Sequence, residues 1–262
     1  YLDNINFDRF LTEDQNADLE KMPSLDEIET AVYSLKGNKS PGLDGLPSEF
    51  YKHFWSSLRQ LYCNMINEAF QIGILPFTTK ISVLSLLFKA GDRKILDNFR
   101  PLSLTNVDYK IIATVFSYRL QTVLPFVIHP DQSACIKDRY IGCSLRNIVD
   151  IFEYYEENNL PGAMLCADFK QAFDSVEINF LLAVLKKMNF GDNFIKWIQI
   201  FYTQPMFKVK NNGWVSQAYP LERSLRQGCP MSASLFVLVI EALALRIRQS
   251  ERINGIMIGE CE

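Results

Sequence analysis

The sequence is poor in histidine, has no paired cysteines and lacks long apolar runs. Its 262 residues include only two histidines, His53 and His129, so neither a histidine-rich metal site nor a Ser-His-Asp nucleophile is indicated. The six cysteines form no Cys-x-x-Cys pair. This argues against a zinc site or a disulfide framework and favours reduced thiols in an intracellular protein.

No membrane segment or export signal is expected. The longest apolar stretches, residues 81–88 and 235–247, are too short to span a bilayer, and Glu241 interrupts the second. The chain begins at Tyr1 without a basic and apolar leader, so we expect no secretory signal. It stops at Glu262 shortly after the apolar "IMIG", which we interpret as a cut within a structure.

The charges are segregated along the chain, although the net charge is only −3. Residues 1–30 carry 9 acidic and 2 basic side chains, whereas residues 80–146 carry 10 basic and 5 acidic ones. A local basic surface suits contacts with phosphates whatever the total charge is. A solvated basic face without a ligand is the alternative on charge alone.

Local patterns predict helices mixed with a few strands. Ser24 and Glu27 form a capping box at the start of a helix, and Gly37 is expected to stop it. "ISVLSLLF" is typical of a buried strand, and Asn212-Gly213 of a hairpin turn. The other predicted elements are helices at 47–70, 107–124, 177–188 and 194–202, a loop followed by a helix in "DQSACIKDRYIGCSLRNI", a strand "GAMLCADF", and a last helix with Pro230 in its first turn. Without a regular strand and helix alternation, the predicted class is α+β.

Two aspartates, Asp168 and Asp174, stand where the predicted strand "GAMLCADF" runs into a helix. At the end of a strand, the carboxylate of Asp168 would project into a cleft, which suits a metal ligand. Either aspartate can instead cap the next helix, and Asp174 is better explained in that way. These two residues alone do not decide between the two interpretations.

Other segments supply groups that bind phosphates. Arg226, Gln227 and Gly228 precede a helix N-terminus, where backbone N–H groups favour an anion. Lys89 and Arg100 flank a turn-rich segment and can pair with phosphates. A carboxylate, two cations and a glycine-bearing loop together indicate a nucleoside triphosphate site.

Five ordered motifs resemble the reverse transcriptases of non-LTR (LINE-type) retrotransposons. They are "KGNKSPGLDGLPSEFYK", "LFKAGDR…DNFRPLSLTNVDYKIIA", "HPDQSACIKDRYIGCSLRNI", "CADFKQAFDSV" and "LRQGCPMSASLF". A maturase-like group II intron enzyme shares part of this pattern, but "SPGLDGLPSEFYK" and the loop after "LFKAGDR" fit the LINE type better.

The resemblance implies a right-hand polymerase fold with fingers, an incomplete palm and no thumb. We expect an acidic lead-in (1–22), an N-terminal extension of the fingers (23–78), the fingers (79–160) and a partial palm (161–262), so that residues 79–262 form the reverse transcriptase domain. The implied partners are an RNA template, a DNA primer and a deoxynucleoside triphosphate, in the nucleus and the cytoplasm. No oligomeric state is predicted.

By the same resemblance, Asp168 is the catalytic carboxylate and, with the backbone carbonyl of Phe169, a ligand for two Mg²⁺ (or Mn²⁺) ions. Phe173, which on the residues alone suits a core aromatic, matches the gate against a ribose 2′-hydroxyl. The remaining implied contacts are Lys89, Arg100, Gln227 and Gly228 with the nucleotide, and Arg139 and Arg226 with the nucleic acid.

Five positions depart from the family pattern, and two of them are Ala134 and Cys135, which replace a Gly-Phe pair. Asp138 and Ser224 stand where glycine is usual, and Ala233 stands where proline is usual. The Tyr/Phe-Ala-Asp-Asp motif, which carries the other metal-binding carboxylates of the family, is absent from residues 1–262. The chain alone is therefore expected to be inactive. The alternative is a polymerase-derived remnant that binds RNA without catalysis.

Overall fold

The computed structural model describes residues 2–253 and 255–256 of the chain. A short 3-10 helix at Leu2–Asn4 precedes the first α-helix, and another at Leu96–Asn98 precedes the second strand. The α-helices are α1 Glu13–Glu20, α2 Leu25–Ser34, α3 Ser48–Ile72, α4 Phe77–Lys80, α5 Val107–Val127, α6 Ile141–Glu157, α7 Ile178–Lys187, α8 Asp192–Tyr202 and α9 Ser232–Arg248. The strands are β1 Ile81–Phe88, β2 Phe99–Thr105, β3 Met206–Asn211, β4 Trp214–Val215 and β5 Tyr219–Pro220.

Most predicted elements are present, because local signals define them. The Ser24 hydroxyl accepts from the backbone N–H of Glu27, whose carboxylate accepts from the Ser24 N–H, so the capping box is confirmed. This helix ends at Ser34, three residues before the predicted stop. The hairpin turn is confirmed, with Asn212 and Gly213 both at positive φ. Pro230 lies just before the last helix rather than in its first turn.

The strands of the described region form one mixed sheet. Strand β1 lies between β2, to which it is antiparallel, and β3, to which it is parallel. Strand β2 is not predicted from the sequence, since Pro101 lies in its middle. Proline is tolerated there because β2 is at the edge of the sheet and needs no second ladder. A mixed sheet packed with helices agrees with the predicted α+β class.

Helix α5 is the centre of the helical core. Its Phe116 packs against Trp197 and Phe201 of α8, with ring centroids 5.1 and 5.7 Å apart. All three side chains are almost completely buried. Burying one such aromatic side chain contributes about 2 to 3 kcal/mol to folding, so this cluster holds α5 and α8 together.

The acidic N-terminal segment is packed against the same helices. The amide of Asn16 donates to the carbonyl of Asn189 (2.6 Å) and its side-chain oxygen accepts from the N–H of Gly191 (3.0 Å). Arg119 of α5 reaches back to the carboxylate of Glu27 and to the carbonyl of Lys21. These contacts join segments about one hundred or more residues apart in the sequence.

The strand predicted at "GAMLCADF" is wrong. Residues 161–169 have no regular secondary structure and are exposed, with Leu165 at 91%. A strand needs a neighbour to complete its hydrogen bonds, and in the part of the chain that the structure describes nothing pairs with this segment. Asp168 therefore lies in an irregular, exposed segment rather than at the end of a sheet strand.

No helix within the described residues combines the length and the apolar character needed to cross a bilayer.

Candidate functional site

A cleft of about 970 Å³ lies between the hairpin formed by β1 and β2 and the loop that precedes α9. The predicted nucleotide-binding residues Lys89, Arg100, Phe173, Gln227 and Gly228 all line it. Its other lining residues are Leu86, Leu96, Asp97, Phe99, Pro101, Leu102, Lys170, Gln171, Asp174, Cys229, Ser232 and Ala233. The structure thus brings together groups that lie far apart in the sequence.

The cations of one wall are positioned by the β1 and β2 hairpin. Lys89 directly follows β1, and its N–H donates to the carbonyl of Asn98 (2.8 Å). Arg100 stands in β2 opposite Leu87. Both cationic side chains are exposed. Two exposed cations on one hairpin suit an anionic ligand such as a triphosphate.

The opposite wall is the loop formed by residues 224–231, which is hydrogen-bonded on several sides. The Ser232 hydroxyl donates to the carbonyl of Arg226 (2.7 Å), and the Ser117 hydroxyl donates to that of Pro230 (3.0 Å). Gly228 has φ +85°, and a Cβ there would lie 3.1 Å from the carbonyl oxygen of Ser103. Glycine suits both the backbone conformation and this close approach to β2, whereas any other residue would add strain and a tight contact.

Asp174 is part of this wall and does not cap a helix, contrary to the sequence-based interpretation. Its carboxylate accepts hydrogen bonds from the Ser224 hydroxyl (3.2 Å) and from Nε2 of Gln227 (3.0 Å). Helix α7 begins instead after Glu177, which makes no side-chain cap. The carboxylate therefore joins the segment after Asp168 to the loop before α9.

Phe173 is half-buried at the edge of the cleft. Its ring centroid lies 5.1 Å from that of Phe236 on α9, and the ring of Phe169 approaches the same side chain at 6.2 Å. Phe173 is thus both a lining residue and a packing residue. Packing against α9 fixes the position of its ring.

Asp168 is exposed, two residues before Lys170, which lines the cleft. Neither Asp168 nor Phe169 lines the cleft itself. Within the described residues, no group of three or more histidine, cysteine, aspartate or glutamate side chains could hold a metal ion. Asp168 and the backbone carbonyl of Phe169 do not by themselves complete a site for two divalent ions, because one carboxylate cannot offset the repulsion between two such ions.

Arg226 is buried, contrary to the prediction that it contacts nucleic acid. Its side chain is 1% exposed, its Nη2 donates to the carbonyl of Lys80 (3.0 Å), and its guanidinium lies 4.5 Å from the ring centroid of Tyr109. Burial raises the pKa of Tyr109 well above its ordinary value, so its hydroxyl keeps its proton and donates to Sγ of Cys229. The loop turns Arg226 inward, where it connects the cleft wall to Lys80 at the end of α4, directly before β1.

Arg139 also contacts the protein itself. Its guanidinium donates to the carbonyls of His129 (2.6 Å), Gln132 (2.7 Å) and Ile128 (3.0 Å). Most of its donors are therefore used in closing the loop before α6. The predicted template contact of Arg139 remains a prediction.

Lys170 and Asp174 are cleft residues whose roles sequence reasoning missed. Lys170 adds a third cation to Lys89 and Arg100, against two acidic lining residues, Asp97 and Asp174. The signal is present in the sequence, since both residues belong to the "DFKQAFDSV" segment. Their partners lie about fifty or more residues away in the sequence, so the pattern alone could not assign them.

Comparison with known proteins shows the family of the chain. The family described as reverse transcriptase (RNA-dependent DNA polymerase) matches residues 89–258. The chain is 38% identical over 242 residues to a Transposon TX1 149 kDa protein of Xenopus laevis, and the match covers 92% of this chain. The chain belongs to the reverse transcriptase family. The resemblance stated from the five motifs is thereby confirmed.

More distant relatives are proteins of retrotransposable elements. The chain is 23% identical to a 115 kDa protein of element R1DM and 24% identical to the Pol polyprotein of element R2DM, both of Drosophila melanogaster, over 85% and 82% of the chain. It spans only 18%, 21% and 20% of the lengths of the three relatives. The matched region is thus a small part of much longer proteins.

The structure explains two departures from the reverse transcriptase pattern. Ser224 has φ +123° and Asp138 has φ +62°, both in the positive region that favours glycine. Aspartate tolerates the conformation at 138 better than most residues do. Serine at 224 is more strained, but its hydroxyl gains a bond to Asp174. Ala233 lies in the first turn of α9, where both proline and alanine are compatible with a helix.

Proposed function

We propose that the chain supplies the nucleotide-binding part of an RNA-directed DNA polymerase. The polymerase would add deoxynucleotides to the 3′-hydroxyl of a DNA primer along an RNA template. In this arrangement, residues 79–160 act as fingers and residues 161–262 as part of a palm. The observation that carries the proposal is the convergence of five predicted nucleotide contacts on one cleft.

The two walls of the cleft can contact different parts of a nucleotide. Lys89, Arg100 and Lys170 supply positive charge for the triphosphate. Gln227 and Gly228 supply polar and backbone groups on the other side, and Phe99 and Phe173 supply apolar surface for the sugar and base. Phe173 is proposed to exclude ribonucleotides by occupying the space of a 2′-hydroxyl.

A direct test measures binding of a fluorescent deoxynucleoside triphosphate to protein expressed from the complete reading frame. Arg100→Ala should weaken this binding about tenfold, because it removes a charge-assisted contact. Arg93→Ala is the matched control, since Arg93 lies on the same hairpin over the ring of Phe88 and does not line the cleft. Equal effects of the two substitutions would count against the proposal.

Primer extension tests the polymerase activity itself. Asp168→Asn in the complete protein should abolish extension of a primer on an RNA template while leaving binding of the template intact. Phe173→Val should raise incorporation of ribonucleotides relative to deoxynucleotides. Unchanged extension by Asp168→Asn would remove Asp168 from the catalytic role that the family pattern implies.

A binding-only remnant is the second candidate. It is consistent with the exposed cations Lys89 and Arg100, which suit a nucleic-acid backbone as well as a triphosphate. Such a protein would bind RNA with an affinity that falls steeply with salt, and it would synthesise no DNA even when the complete reading frame is expressed.

A further inference from the structure

Asp174 holds the side chain of Gln227 in one orientation inside the cleft. We propose that Asp174 is a positioning residue, which orients the Gln227 amide toward a nucleotide bound there. The inference rests on the proposed function of the cleft and assigns a task to a carboxylate that the sequence pattern left to helix capping.

The hydrogen bonds determine which end of the amide faces the cleft. Nε2 of Gln227 lies 3.0 Å from Oδ2 and 3.3 Å from Oδ1 of Asp174. A carboxylate only accepts hydrogen bonds, so it selects the NH₂ end of the amide. The carbonyl end of Gln227 must then point away from Asp174, which leaves Oε1 as an acceptor for a ligand.

The carboxylate of Asp174 is itself fixed by its surroundings. The Ser224 hydroxyl shares its one proton between Oδ1 of Asp174 (3.2 Å) and the carbonyl of Leu225 (3.0 Å). Two backbone hydrogen bonds flank this contact and join residues 173–176 to residues 224–225. The N–H of Leu225 donates to the carbonyl of Phe173 (2.9 Å), and the N–H of Ser224 donates to the carbonyl of Val176 (3.0 Å). A half-buried carboxylate anchored in this way can define the orientation of its partner.

Other roles for Asp174 find no support among the described residues. Helix α7 has Glu177 at its N-cap position, so Asp174 is not needed there. It forms no ion pair within 4 Å with a described cation, and it belongs to no group of potential metal ligands there. Its described side-chain contacts lead to Ser224 and Gln227, and both of these lie in the loop of the cleft.

The oriented amide has a defined chemical preference. Oε1 of Gln227 can accept a hydrogen bond from a ligand. Both contacts of Nε2 go to one carboxylate, so one N–H can serve both oxygens and the other can donate to the ligand. A ligand that offers a donor close to an acceptor, such as a sugar hydroxyl or a base edge, matches this pair. The phosphates of the same nucleotide would lie toward Lys89 and Arg100 on the facing wall.

A double-mutant cycle tests whether Asp174 acts through Gln227. The readout is the Kd of a fluorescent deoxynucleoside triphosphate with protein from the complete reading frame. Asp174→Ala should raise this Kd about tenfold in the wild-type background and leave it unchanged in a Gln227→Ala background. Asp174→Asn, which keeps an acceptor oxygen, should stay within about threefold of the wild type.

The outcomes separate this inference from the proposed function. Asp150→Ala is the matched control, because it removes a carboxylate that pairs with Arg146 on the exposed helix α6. Two results would overturn the positioning role and leave the nucleotide cleft standing. In the first, Asp174→Ala weakens binding equally in both backgrounds. In the second, Asp174→Ala leaves binding unchanged although Arg100→Ala weakens it. If the wild-type protein binds no triphosphate, both are overturned. Thermal unfolding of each variant shows whether a loss of affinity comes from misfolding. If Asp174→Ala misfolds, the affinity of Asp174→Asn decides whether Asp174 has the positioning role.

Discussion

The Cα of Gly228 faces the backbone carbonyl oxygen of Ser103, so closely that an added Cβ would lie 3.1 Å from that oxygen. This contact brings the loop before α9 against strand β2, and both of these elements line the cleft. It joins a position in the predicted fingers to one in the predicted palm. The width of the cleft therefore depends on the absence of a side chain at residue 228.

Gly228→Ala should destabilise the protein by about 2 to 3 kcal/mol, because it adds backbone strain and a close contact. Gly45→Ala is the control, since Gly45 has φ +74° and a Cβ added there would meet no atom within 4 Å. This variant therefore adds backbone strain without a close contact. Urea unfolding measures both effects. Equal destabilisation of the two variants would show that the approach to Ser103 is not tight.

Ser224→Gly and Ser224→Ala should differ in stability. Both lose the hydroxyl that donates to Asp174, but only alanine keeps a Cβ at φ +123°. We expect the glycine variant to be more stable than the alanine variant by about 1 kcal/mol, the cost of an unfavourable backbone conformation. Chemical unfolding of the two variants under one set of conditions gives the difference, and an alanine variant as stable as the glycine variant would contradict the strain at this position.

Arg226→Met should reduce stability without changing how RNA binding depends on salt. The guanidinium contacts Lys80 and Tyr109 inside the protein, so its loss should cost about 2 kcal/mol in unfolding free energy. A residue that contacts phosphate would instead lower the slope of log affinity against log salt by about 1. Titrations of RNA at several salt concentrations distinguish the two cases.

The pairing of Glu27 with Arg119 should make stability depend on pH. Burial tends to raise the pKa of the Glu27 carboxyl, but hydrogen bonds from Arg119 and from the Ser24 N–H outweigh it and lower the pKa from 4.5 to about 2. The stabilisation is therefore present above about pH 4.5 and is lost as the pH falls toward 2. Glu27→Gln should flatten the fall in unfolding free energy between about pH 5 and pH 2, and an unchanged pH profile would contradict this.

Elements with local signals could be predicted from the sequence, whereas those that depend on distant partners could not. The capping box of Ser24 and the turn at Asn212-Gly213 each lie within a few residues, and both predictions are confirmed. The segment 161–169 has the composition of a strand, but a strand also requires a neighbouring one, which composition does not reveal.

The same distinction applies to the candidate site. Asp174 bonds to residues 50 and 53 positions away, and the inward orientation of Arg226 depends on Tyr109 of α5. Lys89, Arg100 and Gln227 are assigned to the nucleotide through the family pattern, and the structure places them around one cleft. Their contacts with a nucleotide remain predictions.

The position of β1 limits how far the chain can be shortened from its N-terminus without disrupting the fold. The family match begins at residue 89, directly after β1 ends at Phe88. Because β1 lies between β2 and β3, a protein trimmed to the matched region would lose the middle of its sheet and split it into two separate parts. The hairpin wall that carries Arg100 would then be left without support, so any shortened version intended for biochemistry should begin well before Ile81.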